Sequence, residues 1–395
     1  MSVLSSMPVV RSGIRLSLAF LFFLCATLYA DAPKGSVTYE KNDQGIITIL
    51  VDGEFFAQYR PDADIDPKGG PVTGSYDTHR FLGTPIVWPI CSAAGTLMTR
   101  GFPMDERDDP AAEKNPVLRN ILANSRLDSI TANKDHIHHR SLWFSHGDVN
   151  GADFWGPDRG QIVQQALLSI TEEAHSVAVK VSTAWIPEPG ATPLCIDVRT
   201  ITFGVLPERP ELRYIDYDVK LSANVDKVTL ADTKEGLFGY RTPGAMDVAA
   251  NERSKNWGGH VLNSQRQEDE DAWGKRASWV DYYGPVPLRL ADAELAKVDA
   301  QTPDSIPLTA AGVNIMNHPS GFRYPSWYHV RTYGLFAVNP FGIKDFEPGT
   351  QLDGTVVLEK GGTLSFCYRV LFHDTPLSFE ELESLFNEYR NTPKG

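Results

Sequence analysis

Short apolar stretches rich in Val, Ile, Thr, Tyr and Phe recur between Ser36 and Phe372, separated by Gly, Pro, Asn or Asp. This pattern is typical of β-strands joined by turns. Asp52 and Gly53 lie between two such stretches and suit a type I′ hairpin turn, in which both central residues need positive φ. We count roughly sixteen to twenty candidate strands, too many for one small sandwich. The sequence predicts an all-β fold, a large antiparallel β-sandwich.

The strongest helix signal lies at residues 377–390, "LSFEELESLFNEYR". Ser378 can cap this helix, with Glu381 three residues later, and apolar residues follow at helical spacing. We expect the helix to cover a sheet edge or face. Residues 103–134 lack strand alternation and carry many charges, so we expect a solvated excursion between strands. No linker divides the chain, which predicts one domain over residues 31–395.

The N-terminus has the features of a secretory signal peptide over residues 1–30. Arg11 and Arg15 precede the apolar run Leu16–Ala30, and polar residues follow. Cleavage is expected after Ala30, with Ala32 as the alternative. The run is shorter than the ~20 residues that cross a bilayer, and no similar run follows it. We therefore expect a periplasmic or secreted protein without a membrane span.

Cysteine content and charge exclude several classes of protein. Export would leave Cys91, Cys195 and Cys367, an odd number without C-x-x-C spacing, so at most one disulfide can form and no zinc ribbon is encoded. The net charge of -13 argues against binding to nucleic acid or to anionic membranes. No G-x-S-x-G elbow, P-loop or dinucleotide-binding glycine motif is present.

Histidines are concentrated in residues 134–156, "KDHIHHRSLWFSHGDVNGADFWG", with four of them within eleven positions. If the segment is a strand, His136, His138 and Arg140 share one face and His139 lies on the other. Such histidines can serve as an acid/base and its orienting neighbour, or as metal ligands. The alternative is a polar edge strand whose histidines bond to backbone or water. The density favours a functional site.

His146 and Asp148 follow, and a turn at Gly147 would return them to the same rim. A metal ion, if one is bound, would use His136, His138 and His146, although no H-E-x-x-H pattern supports it. The segment around Asp148 resembles a calcium loop in composition only. A turn with Asx hydrogen bonds explains it more economically.

Two further segments carry polar groups. Lys234 and Glu235 follow a strand-like stretch, where they can form an acid/base pair or an exposed ion pair. Residues 314–342 combine aromatic rings with amides and arginines, as in a sugar-binding cleft. The alternative for that segment is a core lined with aromatic residues. Its candidate residues are Asn317, His318, Trp327, His329, Arg331, Tyr333 and Asn339.

Four segments together resemble an exported bacterial family labelled "methane oxygenase PmoA". They are "WPICSAAGTLMTRGFP", "DHIHHRSLWFSHGDVNGADFW", "DTKEGLFGYR" and "MNHPSGFRYPSWYHVRTYGLFAVNPFG". The chain departs from the family at Ile137 and Ser141, where the family usually reads D-H-P-H-H-R-G, and in a long insertion before the histidines. The resemblance implies a galactose-mutarotase-like supersandwich and a role in carbohydrate metabolism. It does not imply methane oxidation, because the membrane-bound subunit of that name has several membrane spans.

We therefore expect an exported enzyme that uses the histidine cluster for acid/base chemistry on a saccharide, in epimerisation, elimination or hydrolysis. The predicted catalytic residues are His136, His138, Glu235 and His318. The predicted substrate-binding residues are Arg140, His146, Asp148, Lys234, Asn317, Trp327 and Arg331. The alternatives are a glycan-binding protein without catalysis, a metal-dependent oxygenase or hydrolase, and a structural envelope protein. The sequence identifies no cofactor.

Overall fold

The computed structural model describes residues 34–61, 84–106, 112, 114–156, 160–249, 258–299, 302 and 305–394. The predicted signal peptide and its cleavage sites lie outside these residues. In chain order the strands are β1 Val37–Lys41, β2 Ile47–Val51, β3 Glu54–Arg60, β4 Ile86–Ile90, β5 Leu142–His146, β6 Gln161–Glu173, β7 Ser176–Ile186, β8 Cys195–Leu206, β9 Arg209–Ala223, β10 Lys227–Leu230, β11 Gly236–Arg241, β12 His260–Asn263, β13 Lys275–Arg276, β14 Trp279–Pro287, β15 Leu308–Asn317, β16 Trp327–Val330, β17 Leu335–Asn339, β18 Val356–Glu359 and β19 Thr363–His373.

These strands form two large antiparallel sheets and one small one. The first sheet has nine strands in the order β1-β2-β3-β4-β5-β11-β17-β16-β13. The second has eight, in the order β12-β14-β15-β19-β9-β8-β7-β6, and β10 pairs with β18 alone. The predicted all-β antiparallel architecture is confirmed.

The inner faces of the two large sheets pack on each other through aromatic rings. Phe56 of β3 meets Phe203 of β8 with ring centroids 6.1 Å apart. Phe238 of β11 stacks on Tyr368 of β19 at 4.7 Å. Because successive strand residues point to opposite faces, each sheet also has an outer face that must be covered or solvated. The outer face of the nine-stranded sheet is the one that carries the candidate site.

The predicted hairpin joins β2 and β3. Asp52 and Gly53 form its two-residue turn, with φ angles of 52° and 81°. Both central residues therefore have the positive φ that a type I′ turn requires. The Asp52 carboxylate also accepts hydrogen bonds from the backbone N–H of Gly35 and Ser36.

The C-terminal helix predicted from the sequence is confirmed. The helices are α1 Pro116–Thr131, α2 Asp292–Leu295, α3 Ile343–Phe346 and α4 Phe379–Arg390. At the start of α4 the Ser378 hydroxyl accepts from the Glu381 backbone N–H at 3.2 Å, and the Glu381 carboxylate accepts from the Ser378 backbone N–H at 2.9 Å. The helix packs Leu382 and Phe386 with Trp279 on the outer face of the eight-stranded sheet.

The expectation of a solvated excursion at residues 103–134 is wrong, because the segment contains α1. The Asn115 side chain caps this helix by accepting from the Leu118 backbone N–H at 3.0 Å, and Pro116 occupies the first turn. Leu118 and Ile121 pack with Trp143 on the outer face of the nine-stranded sheet. An Asn-Pro start before this apolar spacing was the available sequence signal.

Helix α1 is fastened to two loops beside the site. Asp128 accepts hydrogen bonds from the backbone N–H of Gly101 at 3.0 Å and of Gly244 at 2.5 Å.

Cys91, Cys195 and Cys367 are buried free thiols. Among the described residues, no helix combines the length and apolar character that crossing a bilayer requires.

The α4 cap provides a test of the fold. We expect Ser378→Ala to lower the free energy of unfolding by about 1 kcal/mol, because the Glu381 N–H loses its acceptor. Urea denaturation measures the loss. The control is Ser169→Ala on the exposed part of β6, where we expect a change within about 0.5 kcal/mol. Equal losses in the two variants would contradict the role assigned to the cap.

Candidate functional site

The histidine segment is a turn that leads into β5, and the strand predicted there begins only at Leu142. The His139 backbone N–H donates to the His136 carbonyl at 2.8 Å. His136 and Ser141 have φ angles of 48° and 58°, which a continuous strand does not allow. Glycine adopts such positive φ angles without strain, whereas Ser141 does so at a cost. The predicted alternation of faces is therefore wrong, and His136 and His139 lie together.

Four rings form a parallel stack on the outer face of the nine-stranded sheet. His136 lies between Tyr333 and His139, with centroids 5.1 Å and 4.8 Å apart and interplanar angles of 8° and 1°. His139 in turn stacks on Trp143 at 5.6 Å. His138 meets the face of His139 edge-on at 4.3 Å. We call Tyr333, His136, His139 and Trp143 the ring stack.

Small residues on neighbouring strands make room for the ring stack. Trp143 of β5 is paired with Gly239 of β11, which is paired with Ala337 of β17, which is paired with His329 of β16. These four positions form one row across the sheet. A Cβ atom at Gly239 would collide with the Trp143 indole, so only glycine allows the ring to lie flat there.

A network of charged residues contacts the histidines of the ring stack. Asp135 accepts from Arg241 Nη2 at 2.6 Å and lies 3.3 Å from His136 Nδ1. Arg241 Nη1 donates to His139 Nδ1 at 3.1 Å. Because a guanidinium can only donate, the proton of neutral His139 must be on Nε2. That Nε2–H is buried and has no hydrogen-bond partner among the described residues.

Burial keeps the inner imidazoles neutral. It lowers the pKa of His138 to about 3, with the charges of His136 and Arg241 adding to the effect. Burial and the neighbouring His138 hold the pKa of His139 well below its ordinary value. Asp135 behaves oppositely: burial favours its protonation, but the His136 hydrogen bond and the charge of Arg241 lower its pKa to about 2. The network therefore contains an ionised carboxylate beside neutral imidazoles.

Glu235 supplies a carboxyl group that is not committed to another side chain. Its backbone carbonyl accepts from the Gly147 N–H at 2.7 Å, which fixes the loop before β11. The carboxyl is half-buried and makes no hydrogen bond or ion pair with a described residue. Burial raises the pKa of Glu235, although the charges of Lys234 and His136 oppose the rise. Glu235 is therefore suited to gain and lose a proton beside His136.

An open cavity of about 300 Å³ adjoins the ring stack at Tyr333. Its lining residues are Glu270, Trp273, Val330, Arg331, Thr332 and Tyr333. The Arg331 guanidinium lies 5.5 Å from the centroid of Trp273 and 5.7 Å from that of Tyr333. His329 meets Trp273 edge-on at 6.2 Å. The volume and the aromatic walls suit a small organic ligand.

His329, which precedes Val330 in the cavity lining, is buried and has a fixed tautomer. Its Nδ1 donates to the Lys234 carbonyl at 2.8 Å, so Nε2 carries the free lone pair. Burial lowers the pKa of His329 to about 4, with Arg331 and Lys234 adding to the effect and the Lys234 carbonyl opposing it. The side chain can therefore accept a hydrogen bond from a ligand.

The structure brings together five of the predicted site residues. His136, His138, Glu235, Lys234 and Arg331 lie in or beside the ring stack and the cavity. Arg140 is buried close to His138, whose pKa its charge lowers. The roles predicted for these residues stay predictions.

His146 and Asp148 lie elsewhere. His146 is three positions from Trp143 on β5 and so points to the opposite, inner face, where its ring contacts Phe341 at 4.7 Å. Its Nε2 donates to the Ala231 carbonyl at 2.9 Å. The metal set of His136, His138 and His146 is therefore wrong. Asp148 accepts from the Gly151 N–H at 2.8 Å, which is the Asx turn considered as the simpler interpretation.

His318 and Asn317 lie near helix α4 on the other sheet, which corrects the expectation that they complete the rim. His318 Nδ1 is 2.8 Å from the Ser320 hydroxyl, and its ring meets Tyr389 edge-on at 5.1 Å. Trp327 is buried in a cluster with Ile343 and Phe346, and Trp273 packs against this cluster. Its Nε1 donates to Glu347 at 2.9 Å.

Sequence reasoning missed several members of the site. Asp135, Arg241 and Trp273 were not among the predicted site residues, and His139, His329 and Tyr333 were noted in their segments without being assigned a role. Most of them lie inside the quoted segments, but their pairing across strands is a tertiary property.

Within the part of the chain that the structure describes, no group of three or more His, Cys, Asp or Glu residues is arranged to hold a metal ion.

The neutral imidazoles predict a dependence of stability on pH. Burial lowers the folded-state pKa of His146 and of His329 to about 4, against about 6.5 in an unfolded chain. Below pH 6.5 the unfolded chain therefore binds protons that the folded protein excludes, so stability present above pH 6.5 is lost as the pH falls toward 4. We expect His329→Gln to reduce this slope by up to roughly 1.4 kcal/mol per pH unit.

Urea denaturation at a series of pH values between 6.5 and 4 measures the slope. The control is His260→Gln, on an exposed side chain, which we expect to leave the slope unchanged. Identical slopes in His329→Gln and in the unaltered protein would show that His329 is not held neutral by burial.

Comparison with known proteins places the chain in a family. A model described as "Family of unknown function (DUF6807)" matches residues 47–387, a range that contains the ring stack, the cavity and Glu235. No curated protein matches the chain. Because the matched range covers most of the sequence, this protein belongs to the DUF6807 family of unknown function.

Proposed function

We propose that this protein is a carbohydrate-active enzyme whose cavity binds a saccharide and whose His136 and Glu235 transfer protons. One observation carries the proposal: the His136 imidazole stacks on Tyr333, whose ring is one wall of the cavity. The half-buried carboxyl group of Glu235 has no partner among the described residues. Aromatic faces stack on the C–H faces of sugars, while polar groups fix the hydroxyls.

His136 is the histidine of the ring stack that ligands can reach. Its side chain is 39% exposed, whereas His139 is buried. The ionised Asp135 carboxylate accepts the Nδ1–H of His136, which leaves Nε2 as the base. A carboxylate that orients a catalytic imidazole in this way is a recurring arrangement in hydrolases. His136 would thus remove a proton from the substrate or from water.

Glu235 would supply the complementary proton. Burial raises the pKa of Glu235, which favours the protonated form of its carboxyl group. Lys234 and Arg331 would stabilise negative charge on substrate oxygens as it develops. Epimerisation, elimination and hydrolysis all use such a pair of proton-transfer groups. His138, His139 and Arg241 would position His136 rather than react.

Export is part of the proposal and rests on the Arg-flanked apolar run Leu16–Ala30. The resemblance to the family labelled methane oxygenase PmoA, with its implied mutarotase-like sandwich, supports a role in carbohydrate metabolism. In this proposal the protein meets its saccharide in the periplasm or outside the cell.

The test is product formation from a panel of oligosaccharides, followed by chromatography, with variants of the site. We expect Glu235→Gln and His136→Gln each to lower the rate at least ~10²-fold while sugar affinity changes little, because each removes a proton-transfer group. The matched control is His318→Gln, which alters a histidine outside the site and should keep the activity. Loss of activity in His318→Gln alone would contradict the assignment.

Two results would replace the proposal. Sugar affinity without product, unchanged in His136→Ala combined with His138→Ala, would indicate a glycan-binding protein. Stoichiometric metal in the purified protein, lost in the same double variant, would indicate a metal-dependent enzyme. Elemental analysis and calorimetry distinguish these two results.

A further inference from the structure

We propose that the cavity selects saccharides that carry a carboxylate, and that Arg331 binds this group. The inference rests on the proposed function and names its substrate class. The Arg331 side chain is half-buried and lines the cavity. It makes no ion pair and no side-chain hydrogen bond with any residue in the described ranges, although its guanidinium carries five N–H donors.

Other buried arginines of this protein have acceptors for their guanidinium groups. Arg100 pairs with Asp247 at 2.7 Å, and Arg199 pairs with Asp197 at 2.8 Å. Arg323 has no carboxylate partner but donates to the Pro340 and Gly354 carbonyls. A guanidinium at the wall of an open cavity, without a protein acceptor, keeps its N–H groups free for water or for a ligand. Acidic side chains were available to pair with it, since the chain has 50 of them against 37 basic ones.

The guanidinium is held in place before any ligand arrives. The rings of Trp273 and Tyr333 lie 5.5 Å and 5.7 Å from it. The Arg331 N–H donates to the Leu335 carbonyl at 2.7 Å, and the Gly334 N–H donates to the Arg331 carbonyl at 3.0 Å. Gly334 closes this turn with φ 89°, which glycine adopts without strain. Because the Arg331 guanidinium is already held in place, it loses little conformational entropy when it binds a planar anion.

The surrounding charges favour a singly charged, planar group. Glu270 lines the same cavity. The Glu270 carboxylate would repel a phosphate, which has about two negative charges at neutral pH, more strongly than a singly charged group. A carboxylate has one charge and matches the fork in a bidentate pair. Uronic acids are the sugars that carry this group.

The test uses uronate oligosaccharides from pectin, alginate and hyaluronan, each paired with its carboxyl-reduced neutral form. Calorimetric titration of the full protein measures both affinities. We expect at least one acid form to bind roughly 10–100-fold more tightly than its neutral form, as a charge-assisted bidentate pair provides. In Arg331→Gln this preference should disappear, because the acid form loses much more affinity than the neutral form.

Two further variants control for charge and stacking. Arg276 also lies over an indole, 4.8 Å from the centroid of Trp327, but it does not line the cavity. We expect Arg276→Gln to keep the full preference. Glu270→Gln removes a negative charge from the cavity and should strengthen binding of the acid form by roughly twofold, opposite in sign to Arg331→Gln.

The outcomes separate the inference from the proposed function. Equal binding of acid and neutral forms, or equal losses for both in Arg331→Gln, would overturn carboxylate recognition while a saccharide site remains. A preference for sulfated sugars over uronates would overturn the carboxylate as well. Absence of binding to every saccharide of either form would overturn both proposals. Folding of each variant is checked by circular dichroism and by its denaturation midpoint.

Discussion

The ion pairs of Asp135 set the arrangement of the whole site. One carboxylate meets the buried guanidinium of Arg241 at 2.6 Å and the imidazole of His136 at 3.3 Å. Arg241 alone would be a buried, uncompensated charge, which costs several kcal/mol in a protein interior. Through Arg241 the carboxylate also decides which nitrogen of His139 carries the proton. The charge balance of the site, the orientation of the His136 ring and the tautomer of His139 thus all depend on one loop residue, Asp135.

The nine-stranded sheet explains why the site lies where it does. Its inner face is used entirely by packing on the eight-stranded sheet, as the ring contacts of Phe56 and Phe238 show. The outer face needs separate cover, and helix α1 covers only part of it. The small residues Gly239 and Ala337 leave space next to the α1 contacts, and the ring stack fits into this space. A cavity forms where that cover ends, at Tyr333 and Trp273.

Local features of the fold could be predicted from the sequence, and long-range ones could not. The Asp52-Gly53 turn and the Ser378 cap depend on neighbouring residues alone, and both are confirmed. Helix α1 was missed because its charged residues masked the apolar spacing after Asn115. His318 was grouped with His136 because both are polar residues in similar segments. Strand order separates them, and strand order depends on contacts far apart in sequence.

The sequence by itself determined the class of fold, since turn residues and alternating apolar stretches act over a few residues. It also supplied the chemical groups of the site: imidazoles, a carboxyl group, guanidinium groups and indoles. Only the tertiary structure decided which of them meet, because adjacent strands bring His329 and Trp143 into one row while alternation turns His146 away. Burial then decided which imidazoles stay neutral, and burial is a property of the assembled sheets and not of the residue type.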